Sequence, residues 1–136
     1  MSNRIVLDTF AVLAFLEGEP RGLRVADILS SEEPWMTLVN VGEVTYIVEL
    51  GRGKAAADVV FADLLANERP DGVTPIQILP IDQRLVRRAA SLKAAGGLSY
   101  ADCFAGAAAA ILECPVLTGD PEFAAAERAG ITVNWL

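Results

Sequence analysis

Short apolar runs alternate along this chain with longer stretches of helical period. Ile5-Val6-Leu7 is apolar and ends at Asp8, as a strand buried on both faces would. Residues 9–16 follow a helical period with Phe10, Leu13 and Ala14 on one side, and Glu19-Pro20 breaks it. Residues 23–29 predict a second short helix. Trp35-Met36-Thr37-Leu38 reads as a strand after a break at Pro34. Residues 41–50 read as a helix stopped by Gly51-Arg52-Gly53, and residues 55–66 as another. Arg69-Pro70-Asp71-Gly72 is a loop pattern.

Gln77-Ile78-Leu79 predicts a third strand. Residues 83–94 predict a helix capped by Asp82 and ended by Gly96-Gly97. An Ala-rich helix is expected over 99–112, and Pro115-Val116-Leu117-Thr118 is a fourth strand. Residues 121–128 form a short helix with Pro at its first position, and residues 131–134 a fifth strand. Strands alternating with helices mean βαβ units and a parallel sheet covered on both faces. The expected fold class is therefore α/β, a single three-layer α/β/α domain over residues 1–136 with about five parallel strands. There are no internal repeats, linkers or glycine-rich nucleotide fingerprints.

Composition narrows the chemistry. The 136 residues suit one domain, and 53% are hydrophobic against 21% charged, a globular balance. Net charge is −7 and there is no histidine. Without His there is no Ser-His-Asp or Cys-His nucleophile, and two cysteines cannot complete a zinc site. Cys103 and Cys114 are expected in one helix, roughly 16 Å apart along its axis, too far to pair. Residues 5–16 resemble a signal-peptide core, but Asp8 interrupts it and no cleavage site follows. The Ala-rich run is too short to span a bilayer. A cytoplasmic, reducing location is expected, with no membrane partner.

Four acids occupy chemically significant positions. Asp8 follows the first strand, and Asp120 follows the fourth across Thr118-Gly119. Glu43 and Asp102 are expected in the first turns of their helices. Residues just past the ends of parallel strands share one edge, where ligand sites form. Each acid alone also suits a helix cap: Asp8 and Asp120 as N-caps, Asn40-x-x-Glu43 and Ser99-x-x-Asp102 as capping boxes. Together they mean more, because gathered carboxylates repel one another unless a cation compensates. Oxygen-only ligands select Mg²⁺ or Mn²⁺.

In four segments the chain resembles the PIN-domain family, and within it the VapC-type toxin ribonucleases. These are Ile5-Val6-Leu7-Asp8-Thr9, Asn40-x-x-Glu43, Leu98-Ser99-Tyr100-Ala101-Asp102, and Leu117-Thr118-Gly119-Asp120-Pro121-Glu122-Phe123. The resemblance implies a PIN-like fold and hydrolysis of RNA phosphodiesters with Mg²⁺ or Mn²⁺. It makes Asp8, Glu43, Asp102 and Asp120 the catalytic, metal-holding acids, with Thr118, Thr9 and Asn40 supporting them by hydrogen bonds. It also implies a small cognate antitoxin protein and a homodimer. One position departs from the pattern: many relatives carry Ser or Asn two residues after the first acid, where this chain has Phe10.

Other features carry plainer expectations. Arg84, Arg87, Arg88 and Lys93 read as a solvated helix face, with a phosphate or partner contact as the alternative, and Arg52 and Lys54 flank a glycine hinge from which they could touch RNA. With so few cations, RNA binding is expected to be weak and salt-sensitive. Trp35 and Trp135 are expected in the core or an interface, Tyr100 in packing, and Glu17 and Glu122 at the solvated surface, with extension of the acidic site as the alternative for these two acids. The apolar helices 41–50 and 55–66 could form a groove for a partner helix. A receiver domain would need a late lysine, and the lysines are Lys54 and Lys93. A dehalogenase-type phosphatase needs Asp-x-Asp where this chain has Asp8-Thr9-Phe10. The remaining rival to the nuclease is a catalytically inactive module of the same fold that binds a partner protein or RNA.

Overall fold

A computed structural model describes residues 3–68 and 74–136. The loop expected at 69–72 lies outside the described residues. Five strands form one sheet in the order β3-β2-β1-β4-β5, every pair parallel. They are β1 (Arg4–Leu7), β2 (Glu33–Thr37), β3 (Gln77–Leu79), β4 (Val116–Thr118) and β5 (Val133–Trp135). The helices are α1 (Thr9–Leu16), α2 (Gly22–Ser31), α3 (Leu38–Arg52), α4 (Lys54–Leu64), α5 (Gln83–Ala95), α6 (Tyr100–Leu112) and α7 (Ala124–Arg128). A single 3₁₀ turn, Pro121–Phe123, precedes α7.

The sheet separates two cores because successive strand residues face opposite ways. Ile5 and Leu7 of β1, Met36 of β2 and Leu117 of β4 pack with buried residues of α1, α2, α3 and α4. Val6 and Val116 face the other side, against α5, α6, Phe123 and Ile131. The Ala-rich helix lies deep in that second core, with Ala105, Ala107 and Ala108 fully buried. On the first side, α2 crosses α1 closely at Gly22. A Cβ there would stand 2.4 Å from the Ala14 carbonyl oxygen, so only glycine permits this approach.

Several boundaries differ from expectation. Pro34 does not precede β2; it pairs with Ile5 at the strand's second residue, where the ladder is only beginning. Leu38 is helical, because Thr37 caps α3: its hydroxyl accepts from Asn40 N at 3.2 Å. The fifth strand starts two residues late, at Val133. Cys114 lies beyond α6, whose C-cap is Glu113 at φ 53°. Both cysteines are nevertheless buried and free. Burial pushes the Cys114 thiol up to about 11, against the lowering pull of Arg4 and of the Val6 backbone. Among the described residues no helix is long and apolar enough to cross a membrane.

Candidate metal centre

The strand order places β1 at the centre. The chain runs outward through β2 and β3, then returns to the other side of β1 for β4 and β5. The order therefore reverses between β1 and β4, and ligand clefts in parallel sheets open at the carboxyl end of that switch. Asp8 leaves β1 there and Asp120 follows β4 there. A cleft of about 290 Å³ opens at this edge, lined by Asp8, Glu43, Asp102, Asp120 and Glu122 among others. Ser99, Leu13 and Ile47 contribute to its walls.

Local structure explains each acid's position. Asp8 caps α1, its Oδ1 accepting from Ala11 N at 2.8 Å. Its second oxygen accepts from the Thr118 hydroxyl. Thr118 Oγ1 in turn accepts from Asp120 N at 3.0 Å, so one buried hydroxyl ties the ends of β1 and β4 together. Asp120 caps the 3₁₀ turn through Glu122 N, 2.9 Å away. Ser99 caps α6 by accepting from Asp102 N at 3.2 Å, which leaves the Asp102 carboxylate to the cleft. The capping box expected at Asn40-x-x-Glu43 does not form. Thr37 is the cap, and Glu43 sits in the second turn of α3 with no capping duty.

Asn40 links three elements. It accepts from the Thr37 hydroxyl at 2.6 Å and donates to the Ala101 carbonyl at 3.1 Å and to Thr9 Oγ1 at 3.5 Å. Asn40, Thr9, Thr37 and Thr118 are all buried. This network registers the starts of α1, α3 and α6 on one another, and so sets the spacing of Asp8, Glu43 and Asp102. Asn40→Ala is expected to cost about 2 kcal/mol, because buried partners lose their hydrogen bonds. Urea unfolding measures it; an unchanged midpoint would remove Asn40 from this role.

The carboxylates crowd one another. One oxygen each from Asp102, Asp120 and Glu122 lie within 4.8 Å of one another. Burial pushes Asp8 up to about 7 from the ordinary 3.8, against the lowering hydrogen bonds of Thr118 and Ala11. The charges of Asp102 and Asp120 add to the rise. Asp102 rises to about 6, mainly by burial, opposed by Ser99 and reinforced by Asp120, Glu43 and Glu122. Among the described residues no cation forms an ion pair with any of these five acids. An oxygen-only donor set with this much uncompensated charge suits a hard divalent cation.

All four expected acids thus line one cleft, and Thr118, Thr9 and Asn40 brace it. Glu122, expected at the surface with extension of the acidic site as the alternative, is exposed and also turns its carboxylate to the group. Its signal was its place two residues after Asp120 on a tight turn. Glu17 lies elsewhere, in a small pocket beside Arg52. The basic residues of α5 do not reach the cleft: Arg84 and Arg87 line a groove with Ile81, and Arg88 another with Cys114. Lys93 donates to the Leu98 carbonyl, and Lys54 pairs with Asp58 at 3.0 Å. Tyr100 packs edge-on against Phe104, with ring centroids 5.1 Å apart. Trp35 is half-buried, donates to Glu33 and lies under Arg4.

By fold and site the molecule is a small α/β/α domain whose sheet switch point carries an acidic, oxygen-only cleft. The PIN domain family model matches residues 5–129, and the chain belongs to that family. Among solved structures it is similar to VapBC2 from Rickettsia felis bound to a promoter DNA fragment. That likeness has a TM-score of 0.70 at 11% identity, covering 96% of this chain and 97% of that one. VapBC-1 from nontypeable Haemophilus influenzae gives a TM-score of 0.69 at 14% identity, over 97% of each chain. The sarcin-ricin loop cleaving toxin VapC20 of Mycobacterium tuberculosis gives 0.66 at 19% identity, over 90% of this chain and 94% of that one. No curated protein matches the chain in sequence.

Proposed function

We propose that this chain is a Mg²⁺- or Mn²⁺-dependent endoribonuclease, the toxin of a toxin–antitoxin pair. The observation that carries the reading is the convergence of Asp8, Glu43, Asp102 and Asp120 on one cleft at the sheet switch point. The family supports it, as does a structural neighbour described as a sarcin-ricin loop cleaving toxin. Asp8, Asp102 and Asp120 would hold the cation, with Glu43 completing the set from α3 and Glu122 extending it. When bound, divalent cations lower the pKa of a water and offset the charge that grows on a phosphate during in-line displacement.

The chain's own residues do the rest. Thr118 holds one oxygen of Asp8 and the backbone of Asp120, so two acids keep a fixed separation. Asn40 fixes α3 and α6, which carry the other two. Leu13 and Ile47 add apolar surface to the cleft wall beside the acids. The starts of α1 and α6 lie beside the acids and turn the positive ends of their dipoles toward the cleft.

Partner binding forms part of the same reading. The neighbours include VapBC assemblies, and α3 and α4 leave Tyr46, Leu50, Val59 and Phe61 exposed. These apolar residues would meet an antitoxin helix or a second copy of the chain. Cleavage of an RNA pool by the wild type and by Asp102→Asn, in EDTA, Mg²⁺ and Mn²⁺, tests the activity. Cleavage that requires metal and drops at least about a hundredfold in the variant is expected, since even outer partners of a metal site contribute 10- to 100-fold. Metal-independent cleavage, or full activity of Asp102→Asn, would sink the reading.

A further inference from the structure

RNA must approach a cleft lined by five carboxylates, on a protein of net charge −7. The cations on α5, and Lys54, are engaged elsewhere or face other grooves. One cation does stand at the rim. The Arg21 guanidinium lies over the Phe10 ring, 4.8 Å from its centroid. Phe10 lines the acidic cleft. A Cβ built on Gly119, the residue between Thr118 and Asp120, would stand 2.4 Å from Phe10 Cε1 and 3.0 Å from Arg21 Nη1. The ring and the guanidinium therefore both rest against the turn that carries Asp120, and the missing side chain of Gly119 makes room for them.

Backbone structure holds Arg21 in this place. It sits in the turn between α1 and α2, at φ −65° and ψ −22°. Gly22 N donates to the Glu19 carbonyl at 2.8 Å, and Leu23 N to the Pro20 carbonyl at 3.2 Å. Gly22 packs against Ala14 and Phe15 with no room for a Cβ, which brings the turn directly onto α1. Arg21 is exposed, and among the described residues it has no ion pair and no hydrogen bond. One face of its guanidinium is covered by the ring, and its N–H donors are unused. A planar fork stacked on an aromatic ring keeps its donors oriented and suits a phosphate in bidentate fashion.

We propose that Arg21 is a phosphate-binding residue of the cleft, gripping the RNA backbone beside the acids, and that Phe10 is the positioning residue that holds it. The inference rests on the ribonuclease reading for the identity of its ligand. The division of labour is physical. The acids serve the scissile phosphate through cations, whereas Arg21 meets a neighbouring phosphate directly and offsets the repulsion of the protein's own charge.

The test compares wild type, Arg21→Ala, Arg21→Lys and Phe10→Leu, each checked for folding by thermal melting. Two readouts are needed: steady-state RNA cleavage in Mg²⁺, and anisotropy of a fluorescent single-stranded RNA with Ca²⁺ in place of Mg²⁺. Arg21→Ala should weaken RNA binding and raise KM about ten- to hundredfold, the worth of a charged hydrogen-bonded contact, with kcat little changed. The slope of log affinity against log salt should become shallower by about 0.7, one phosphate contact on a single strand. Arg21→Lys should recover the slope but not the affinity. Phe10→Leu should keep the slope and lose affinity; wild-type affinity in that variant overturns the positioning role. If the wild type binds and cuts RNA and Arg21→Ala matches it in affinity and slope, the Arg21 proposal falls and the nuclease stands. If the wild type cuts nothing but binds RNA through Arg21, the nuclease reading falls and the contact stands. A wild type that neither binds nor cuts RNA overturns both.

Discussion

Asp8→Asn is expected to reduce metal-dependent cleavage by at least about a hundredfold and yet to stabilise the metal-free protein at pH 8. The loss follows from geometry, since Asp8 lies at the end of the central strand and faces the other acids. The gain follows from burial. Asp8 is 1% exposed, and burial has pushed it up to about 7. Keeping it ionised in the folded state therefore costs on the order of 4 kcal/mol at pH 8. Asparagine has the same shape and no charge. Its oxygen can accept from Ala11 N as Asp8 does at 2.8 Å, and its amide can donate to Thr118. Urea unfolding in EDTA at pH 8 should show Asp8→Asn more stable by up to about 4 kcal/mol. A variant less stable than wild type under those conditions would mean that the buried charge is already compensated by the protein itself.

The same charge should make stability depend on pH in an unusual direction. Most acids in folded proteins are depressed and stabilise the fold as pH rises. Asp8 and Asp102 are raised from 3.8 to about 7 and about 6. For a raised group the stabilising contribution is complete below its unfolded pKa and is lost as pH climbs through its folded pKa. Metal-free protein should therefore lose stability from these groups between about pH 4 and pH 7. Mg²⁺ or Mn²⁺ should restore it above pH 7, by about 2.7 kcal/mol at a hundredfold excess over Kd. Cleavage should fall away below about pH 6, where protons compete with the cation for the same oxygens. Thermal melting of wild type and Asp8→Asn across pH 4–8, in EDTA and in Mn²⁺, checks the sign. The difference between the two proteins isolates Asp8 from the other carboxylates. A difference that does not change with pH would overturn the account.

Much of this molecule was legible before folding was considered. The apolar runs at Ile5-Val6-Leu7 and Val116-Leu117-Thr118 became strands buried on both faces of the parallel sheet, and Gln77-Ile78-Leu79 became its half-buried edge strand. The caps at Asp82 and Ser99 were readable because they act within one turn. Errors came where two local signals competed. The expected second strand ran on to Leu38, yet the Thr37 hydroxyl captured the first turn of the next helix, ended β2 at Thr37 and displaced the box expected at Asn40 and Glu43. That shift frees Glu43 for the cleft instead of spending it on a cap.

The order of residue types along the chain determined the alternating elements, the parallel sheet and the identity of the acids, since each depends on neighbours within a few positions. It could not show the strand order β3-β2-β1-β4-β5, which decides that Asp8 and Asp120, 112 residues apart in sequence, share one edge. Nor could it show that Thr118 bridges those two acids, that Asn40 registers three helix starts, or that Glu122 turns inward. Arg21 is the clearest case. In sequence it is one more surface cation after a proline, and only the packing of α2 on α1 stacks it over Phe10 beside Gly119. Charge and hydrogen bonding act through space over a few ångströms, so the acid cluster and its raised pKa values exist only after burial and topology have brought the carboxylates together.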